Sequence, residues 1–284
     1  MLVAVKKIEV VGLSLAAATK ELNMYHLLAH PKIIRLFGYY TKNSNLFLVL
    51  ELGNSNLRQL LESYSSKRLE FEKAIVFALH ISEAVMFLHG RNIVHLDIKS
   101  SNVIICDGQV AKITDLGTAR KLLTTATQST LGKSGRGRYH FWYSWAFKRS
   151  LHIFSVIAHS CVVAFIGSPQ WMAPENWSQE ENIYKDFYCQ KPSDIYSTAM
   201  VLWELAEGRG TLPWGSSDIM AINRFVTKEK RRPSIPHETP RDFACLIESC
   251  WKDSPLERPE AADVFSKVQV HEASTCWLSL RNII

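Results

Sequence analysis

His95-Leu96-Asp97-Ile98-Lys99-Ser100-Ser101-Asn102, followed thirteen residues later by Asp115-Leu116-Gly117, is the stretch on which the reading of this chain turns. It sets a carboxylate, an ammonium and an amide at fixed offsets on one loop, with a second carboxylate beside a glycine downstream. Working outward, residues 1–7 alternate and are rich in β-branched side chains, which predicts a strand ending on Lys6 and Lys7. Leu22, Tyr25, Leu28 and Ala29 recur at helical spacing over 19–29, and Pro31 stops that helix. Strands are predicted over 33–40 and 46–52, with a polar turn between them. After Gly53-Asn54-Ser55 the texture becomes helical, over 57–63 and then 71–88, where Ile75, Leu79, Val85, Phe87 and Leu88 supply a core face. Further helices are predicted over 193–207, with Ile195, Ala199, Leu202, Trp203 and Leu205 inward, and over 218–228 and 241–252. The expected architecture is α+β: a small sheet with one helix over 1–52, a larger mainly helical part over 53–284, and a cleft between two unlike lobes to receive a ligand.

Composition narrows the function classes. A chain of 284 residues, 47% hydrophobic and 21% charged, can bury the core of one large domain or two lobes. Six cysteines without a C-x-x-C pair suggest neither a zinc cage nor a disulfide framework, so a reduced, cytoplasmic setting is expected. The first residues show no charged leader before a long apolar run, and no secretory signal is expected. The net charge of +6 is concentrated in 132–166, where Lys133, Arg136, Arg138, Lys148 and Arg149 face no acid; the remainder has 28 basic against 27 acidic residues. No nucleic-acid partner is therefore expected, and the apolar run 151–166 is too short and too interrupted by His152 and His159 to span a bilayer.

Phosphoryl transfer from ATP needs a group to orient or deprotonate a hydroxyl, a cation near the γ-phosphate, and oxygen ligands for magnesium. The two motifs hold all three. The chain here resembles a eukaryotic protein kinase, with the two-lobed fold of that family. The resemblance implies that Asp97 is the catalytic aspartate, that Lys99 steadies the transferring phosphate, and that Asn102 and Asp115 hold Mg2+. Val3-Ala4-Val5-Lys6 is similar to the strand whose lysine, here Lys6, grips the ATP phosphates, and Glu21 matches the helix glutamate that pairs with it. Lys7, its neighbour on the strand, would face solvent. Leu46-Phe47-Leu48-Val49-Leu50-Glu51-Leu52-Gly53 resembles the strand entering the hinge, with Leu50 as gatekeeper, the backbone of Glu51 and Gly53 facing adenine, and Ala4 and Ile104 sandwiching the ring. Gly167-Ser168-Pro169-Gln170-Trp171-Met172-Ala173-Pro174-Glu175 matches the end of the activation segment. The resemblance pairs Glu175 with Arg258 and has Asp194 brace the catalytic loop that begins at His95.

Lys99 two residues after Asp97, with Gly167-Ser168, is similar to serine/threonine kinases, whose substrate is a protein bearing Ser or Thr. Pro169-Gln170-Trp171-Met172 and Asp115-Leu116-Gly117-Thr118-Ala119 resemble tyrosine-kinase-like and MAP kinase kinase kinase families, and Val94-His95-Leu96-Asp97 with Glu51-Leu52-Gly53-Asn54 is similar to Mos-type kinases. A role in a MAP-kinase-type signalling cascade is the expectation. Leu96 stands where many kinases carry an arginine that binds a phosphate on the activation loop. Activity is then expected to depend less on phosphate at Thr124, Thr125, Thr127, Ser129 or Thr130.

Two departures qualify the match. The family's glycine-rich loop would lie about fifteen to twenty residues before its lysine, whereas five residues precede Lys6; a truncated lobe is expected rather than a short kinase. Segment 132–166 interrupts the activation segment and is basic and aromatic-rich. Its readings are a nucleic-acid patch, a membrane contact, or a translated intron, which is preferred. Gly132-Lys133-Ser134 is encodable by a run containing a donor-like GTAAGT, 164–167 by a run ending in an acceptor-like AG, and removal rejoins Leu131 to Gly-Ser168-Pro169 in frame. The alternative to an active kinase is an inactive kinase-like scaffold or fragment that binds signalling partners.

Overall fold

In Val3-Ala4-Val5-Lys6-Lys7-Ile8-Glu9 the residues Ala4, Lys6 and Ile8 are partly covered, while Val5, Lys7 and Glu9 are exposed, the period of two of a strand with one covered face. The computed structural model describes residues 2–9, 15–43, 45–122, 157–158, 161–162, 167–177, 190–215 and 218–281. In it this strand, β1 (Val3–Glu9), is antiparallel to β3 (Asn45–Glu51), which pairs on its other side with β2 (Leu36–Lys42). Leu46, Leu48 and Leu50 of β3 are buried. A slip of one residue would turn all three to the other face, so the burial fixes the register. Ala4 then pairs with Leu50 and Lys6 with Leu48.

Helix α1 (Leu15–Leu27) packs Leu22 and Tyr25 under this sheet and carries Glu21 inward. It starts earlier than the expected 19–29 because Leu15-Ala16-Ala17-Ala18 is strongly helix-forming. Strand β2 starts later than expected. Ile33 and Ile34 instead reach the second lobe, where Ile34 N–H donates to the Ile113 carbonyl and Ile113 N–H to that of Lys32, both at 2.9 Å.

That lobe begins with β4 (Ser55–Asn56) and α2 (Leu57–Ser63), whose start is set by a reciprocal cap: Gln59 N–H donates to Asn56 Oδ1 at 2.8 Å, and Asn56 N–H to Gln59 Oε1 at 3.2 Å. Helix α3 (Phe71–Gly90) buries Ile75, Val85 and Leu88 as predicted and adds Ala74, Phe77, Ala78, Ile81 and Ala84; Leu79 and Phe87 lie at the core's margin. Around it come β5 (Ile93–Val94), β6 (Val103–Cys106), β7 (Val110–Ile113) and β8 (Arg120–Lys121), with sheet orders β4-β6-β7 and β5-β8. Loop 95–102 is therefore held between β5 and β6, and 114–119 between β7 and β8.

Helix α4 (Gln190–Glu207) packs against α3, with Ile195, Ala199, Leu202, Trp203 and Leu205 all buried. The expected helix 218–228 proves composite: Asp218 caps α5 (Ile219–Asn223), which continues as a π turn over Arg224–Lys228. Helix α6 (Arg241–Cys250) follows. The last helix, α7 (Ala261–Arg281), is not among those expected from the sequence; it lies along α3 and buries Val264 and Val268. The candidate phosphorylation positions from Thr124 to Thr130, and segment 132–166 apart from 157–158 and 161–162, lie outside the described residues.

Candidate active site

The loop 95–102 is anchored from beneath by Asp194 of α4, which is fully buried. Its carboxylate accepts from the N–H groups of His95 and Leu96, both at 2.8 Å, and lies 3.0 Å from His89 Nε2. Leu96 has φ of 65°, a left-handed backbone that costs a non-glycine residue energy, and the bond to its N–H holds it there. His95 is also buried; its Nε2 lies 3.0 Å from the Thr114 carbonyl, and Thr118 Oγ1 donates to the His95 carbonyl at 2.7 Å. These contacts tie the loop of Asp97 to the segment of Asp115.

Asp97 is the centre of three polar side chains. Asn102 Nδ2 donates to its backbone carbonyl (2.8 Å) and its Oδ2 (3.0 Å), and Lys99 Nζ lies 2.9 Å from the same Oδ2. Ser168 Oγ donates to Asp97 Oδ1 at 2.9 Å and accepts from Lys99 Nζ at 2.7 Å. A hydroxyl is thus held between the carboxylate and the ammonium. Gly167 permits this approach: its φ is 100°, and a Cβ there would meet the Leu96 carbonyl at 2.9 Å.

On the opposite wall, Lys6 Nζ reaches Glu21 Oε1 and Oε2 at 2.8 and 3.0 Å and Asp115 Oδ1 at 2.8 Å. Burial alone would depress the Lys6 pKa, but the two carboxylates outweigh it and hold the ammonium above its ordinary range. The carboxylates diverge. Glu21 is 8% exposed, and burial raises its pKa despite Lys6; Asp115 is 43% exposed, so Lys6 overcomes burial and lowers it. Asp115 has φ of 63°, and its N–H donates to Tyr25 Oη at 3.3 Å. Lys7 points the other way and pairs with Glu9.

Leu50 is buried, and Ala4 and Ile104 pack at the edge of the core. Gly53 fits only as glycine, since a Cβ would lie 2.1 Å from Ile104 Cγ2 and 2.9 Å from the Ile105 carbonyl. The Glu51 N–H donates to the Arg35 carbonyl at 2.8 Å, so that donor is not available to a ligand. The Glu51 side chain turns away to Lys112. There it lines, with Lys32, Cys106 and Lys112, a cavity of about 290 Å³ that does not include Asp97, Lys6 or Asp115.

Farther out, Arg258 and Glu175 form a bidentate pair, at 2.7 and 2.8 Å. Sequence reading missed Glu204 of α4. It is fully buried and accepts from Ser100 Oγ (2.7 Å) on the catalytic loop and Trp171 Nε1 (2.8 Å) on the activation segment, with Arg58 NH1 at 3.5 Å. Burial pushes its pKa up to about 7. Its only sequence signal is an acid inside the apolar run 199–206. Ser168, a substrate-class marker in the sequence, belongs to the site itself.

The donor set suits a hard cation. Asp115 presents a carboxylate, Asn102 commits its Nδ2 to Asp97 and keeps its amide oxygen, and the Thr114 N–H bond to the Asn102 carbonyl places the two side by side. Among the described residues no helix is long and apolar enough to cross a membrane. The family model "Protein kinase domain" matches residues 1–143, and "Protein tyrosine and serine/threonine kinase" matches 166–268. A probable serine/threonine-protein kinase of Dictyostelium discoideum is 30% identical over 87% of this chain, and serine/threonine-protein kinase CTR1 of Arabidopsis thaliana is 28% identical over 86%. Human mitogen-activated protein kinase kinase kinase 11 is 26% identical over 93%. The matches span only 22%, 25% and 27% of those proteins. With half of its length matched by the protein kinase domain model and such relatives along most of the rest, this chain belongs to the protein kinase family.

Proposed function

We propose that the chain transfers the γ-phosphoryl group of ATP to a serine or threonine hydroxyl of a protein substrate. The observation that carries this reading is Ser168 Oγ, an internal hydroxyl held between Asp97 and Lys99. A substrate hydroxyl taking that place would donate to Asp97 while its oxygen faces the γ-phosphorus. The new oxygen–phosphorus bond forms as the bond from that phosphorus to the β–γ bridging oxygen breaks. The hydroxyl proton passes to Asp97, and ADP leaves with the bond electrons. Lys99 offsets charge on the transferred group, and Lys6, oriented by Glu21, grips the α- and β-phosphates. Asp115 and the Asn102 oxygen would hold Mg2+, which neutralises triphosphate charge when bound. Leu50, Ala4 and Ile104 wall the adenine, with the Glu51 carbonyl and the Gly53 backbone at its edge. His95, Asp194, Glu175 and Arg258 hold the frame.

We place the lobe division between 52 and 53, and the protein in the cytoplasm, which suits the unpaired thiols of Cys106, Cys245 and Cys250. Likeness to a MAP kinase kinase kinase supports a place in a signalling cascade. Residues 144–165 fall between the two family matches, which supports reading 132–166 as a translated intron. The test is magnesium-ATP turnover on a generic protein substrate by this chain, a form lacking 132–166, and each with Asp97→Asn. Phosphoserine or phosphothreonine should form and fall about 10²–10⁴-fold with the asparagine. Equal, negligible activity in all forms would favour the inactive scaffold.

A further inference from the structure

Beside the segment that carries Ser168 lies a cationic surface for which phosphoryl transfer has no use. Trp214 Nε1 donates to the Gln170 carbonyl at 3.2 Å, and its ring stacks on Phe225 with centroids 6.3 Å apart. Trp214 has φ of 72°, a strained backbone that persists only where the surroundings dictate it. Ile222 and Val226 are buried against Met172 and Trp177. Helix α5 and its π turn are thereby clamped to the segment that carries Gln170 and Met172, two and four residues after Ser168.

Two guanidinium groups lie over the Phe225 ring: Arg224 at 5.3 Å and Arg231 at 4.4 Å from its centroid. Both remain open to solvent, 61% and 60% exposed, beside exposed Lys228 and Lys230. Residues 224–232 contain a single acid, Glu229, which pairs with Arg224 (2.9 Å) and Arg231 (3.3 Å). Arg232 is committed elsewhere, to Asp253 and the Trp251 carbonyl. Exposed ion pairs such as those of Glu229 are worth at most ~1 kcal/mol. Each guanidinium has donors to spare, so Glu229 does not shut out a second carboxylate. The aromatic contacts restrict the arginines in advance and reduce the ordering cost of binding.

We propose that Arg224, Lys228, Lys230 and Arg231, mounted on Phe225, form a substrate-selecting surface that favours proteins with Asp or Glu residues near the accepting hydroxyl. This rests on the kinase reading and names the substrate class of the same site. The test uses two peptides with one serine each, flanked by acidic or by neutral residues. Wild type is compared with the double variant Arg224→Glu/Arg231→Glu for kcat/KM and for peptide binding by fluorescence anisotropy, at low and high salt. The double variant should lose about tenfold in both measures on the acidic peptide and keep the neutral one, and salt should erode the wild-type preference. Equal losses on both peptides, or none on the acidic one, would overturn the proposal. Should wild type phosphorylate neither peptide, the kinase reading fails, and the anisotropy difference alone decides the surface.

Discussion

Arg258 offers the sharpest test of how the lobe is held together. Its side chain is fully buried, and all five of its N–H donors are used. NH1 reaches Glu175 Oε1 (2.7 Å) and the Pro192 carbonyl (2.9 Å), NH2 reaches Glu175 Oε2 (2.8 Å) and the Asp253 carbonyl (3.2 Å), and Nε reaches the Lys252 carbonyl (2.9 Å). Glu175 is 8% exposed, so solvent screens the pair little. Arg258→Ala leaves a buried carboxylate unpaired, a loss of ~3–5 kcal/mol, and three carbonyls lose a donor. Arg258→Lys keeps the charge but supplies three donors, so at least two acceptors go unmet, at ~1–3 kcal/mol each. Urea unfolding of Arg258→Ala, Arg258→Lys, Glu175→Ala and the double alanine variant measures these losses and, by the cycle, the coupling. The order should be Ala worse than Lys, with coupling of at least ~2 kcal/mol. A loss below ~1 kcal/mol for Arg258→Ala, or additivity of the two alanines, would refute the assignment of the pair as a structural clasp.

Glu204 makes stability depend on pH. Its folded pKa of about 7 lies above the ordinary carboxyl value of 4.5. Its contribution is therefore fullest below about pH 4.5 and is lost as pH rises through about 7. Against Glu204→Gln, the wild type should lose about 3 kcal/mol between pH 4 and pH 8 in urea titrations; a constant difference would contradict this. Glu21→Gln should leave stability within ~1 kcal/mol, since Lys6 keeps Asp115, yet lower kcat/KM roughly 10- to 100-fold through the lost charge-assisted bonds. Steady-state kinetics beside urea melts separates the two effects. Alanine at Thr124, Thr125, Thr127, Ser129 and Thr130 together should leave most of the activity of purified protein, because Leu96 offers a phosphate no guanidinium; loss of all activity would sink that idea.

Much of this was legible in the order of residues. Asp97, Lys99, Asn102 and Asp115 stand out by chemical type and offset, Lys6 and Glu21 through the resemblance of their segments to kinase motifs, and the helix 57–63 by its local pattern, to which the structure adds the cap of Asn56 with Gln59. Alternation in β1 and the 3.6-residue pattern of α3 follow from one-sided burial, which sequence records directly. What depended on distant partners was not legible. Ile33 and Ile34 left β2 for β7, and the 218–228 helix changed to a π turn where Phe225 and Val226 meet Trp214 and Met172. Ser168 marks only a substrate class in the sequence until folding sets it between Asp97 and Lys99, and Glu204 is a misplaced acid until Ser100, Trp171 and Arg58 close around it. Sequence alone determined which charged and amide groups lie at short spacing on the two loops, because residue type and offset are local properties. Only the tertiary structure decided which oxygen each donor meets, because those distances are set by packing between segments far apart in the chain.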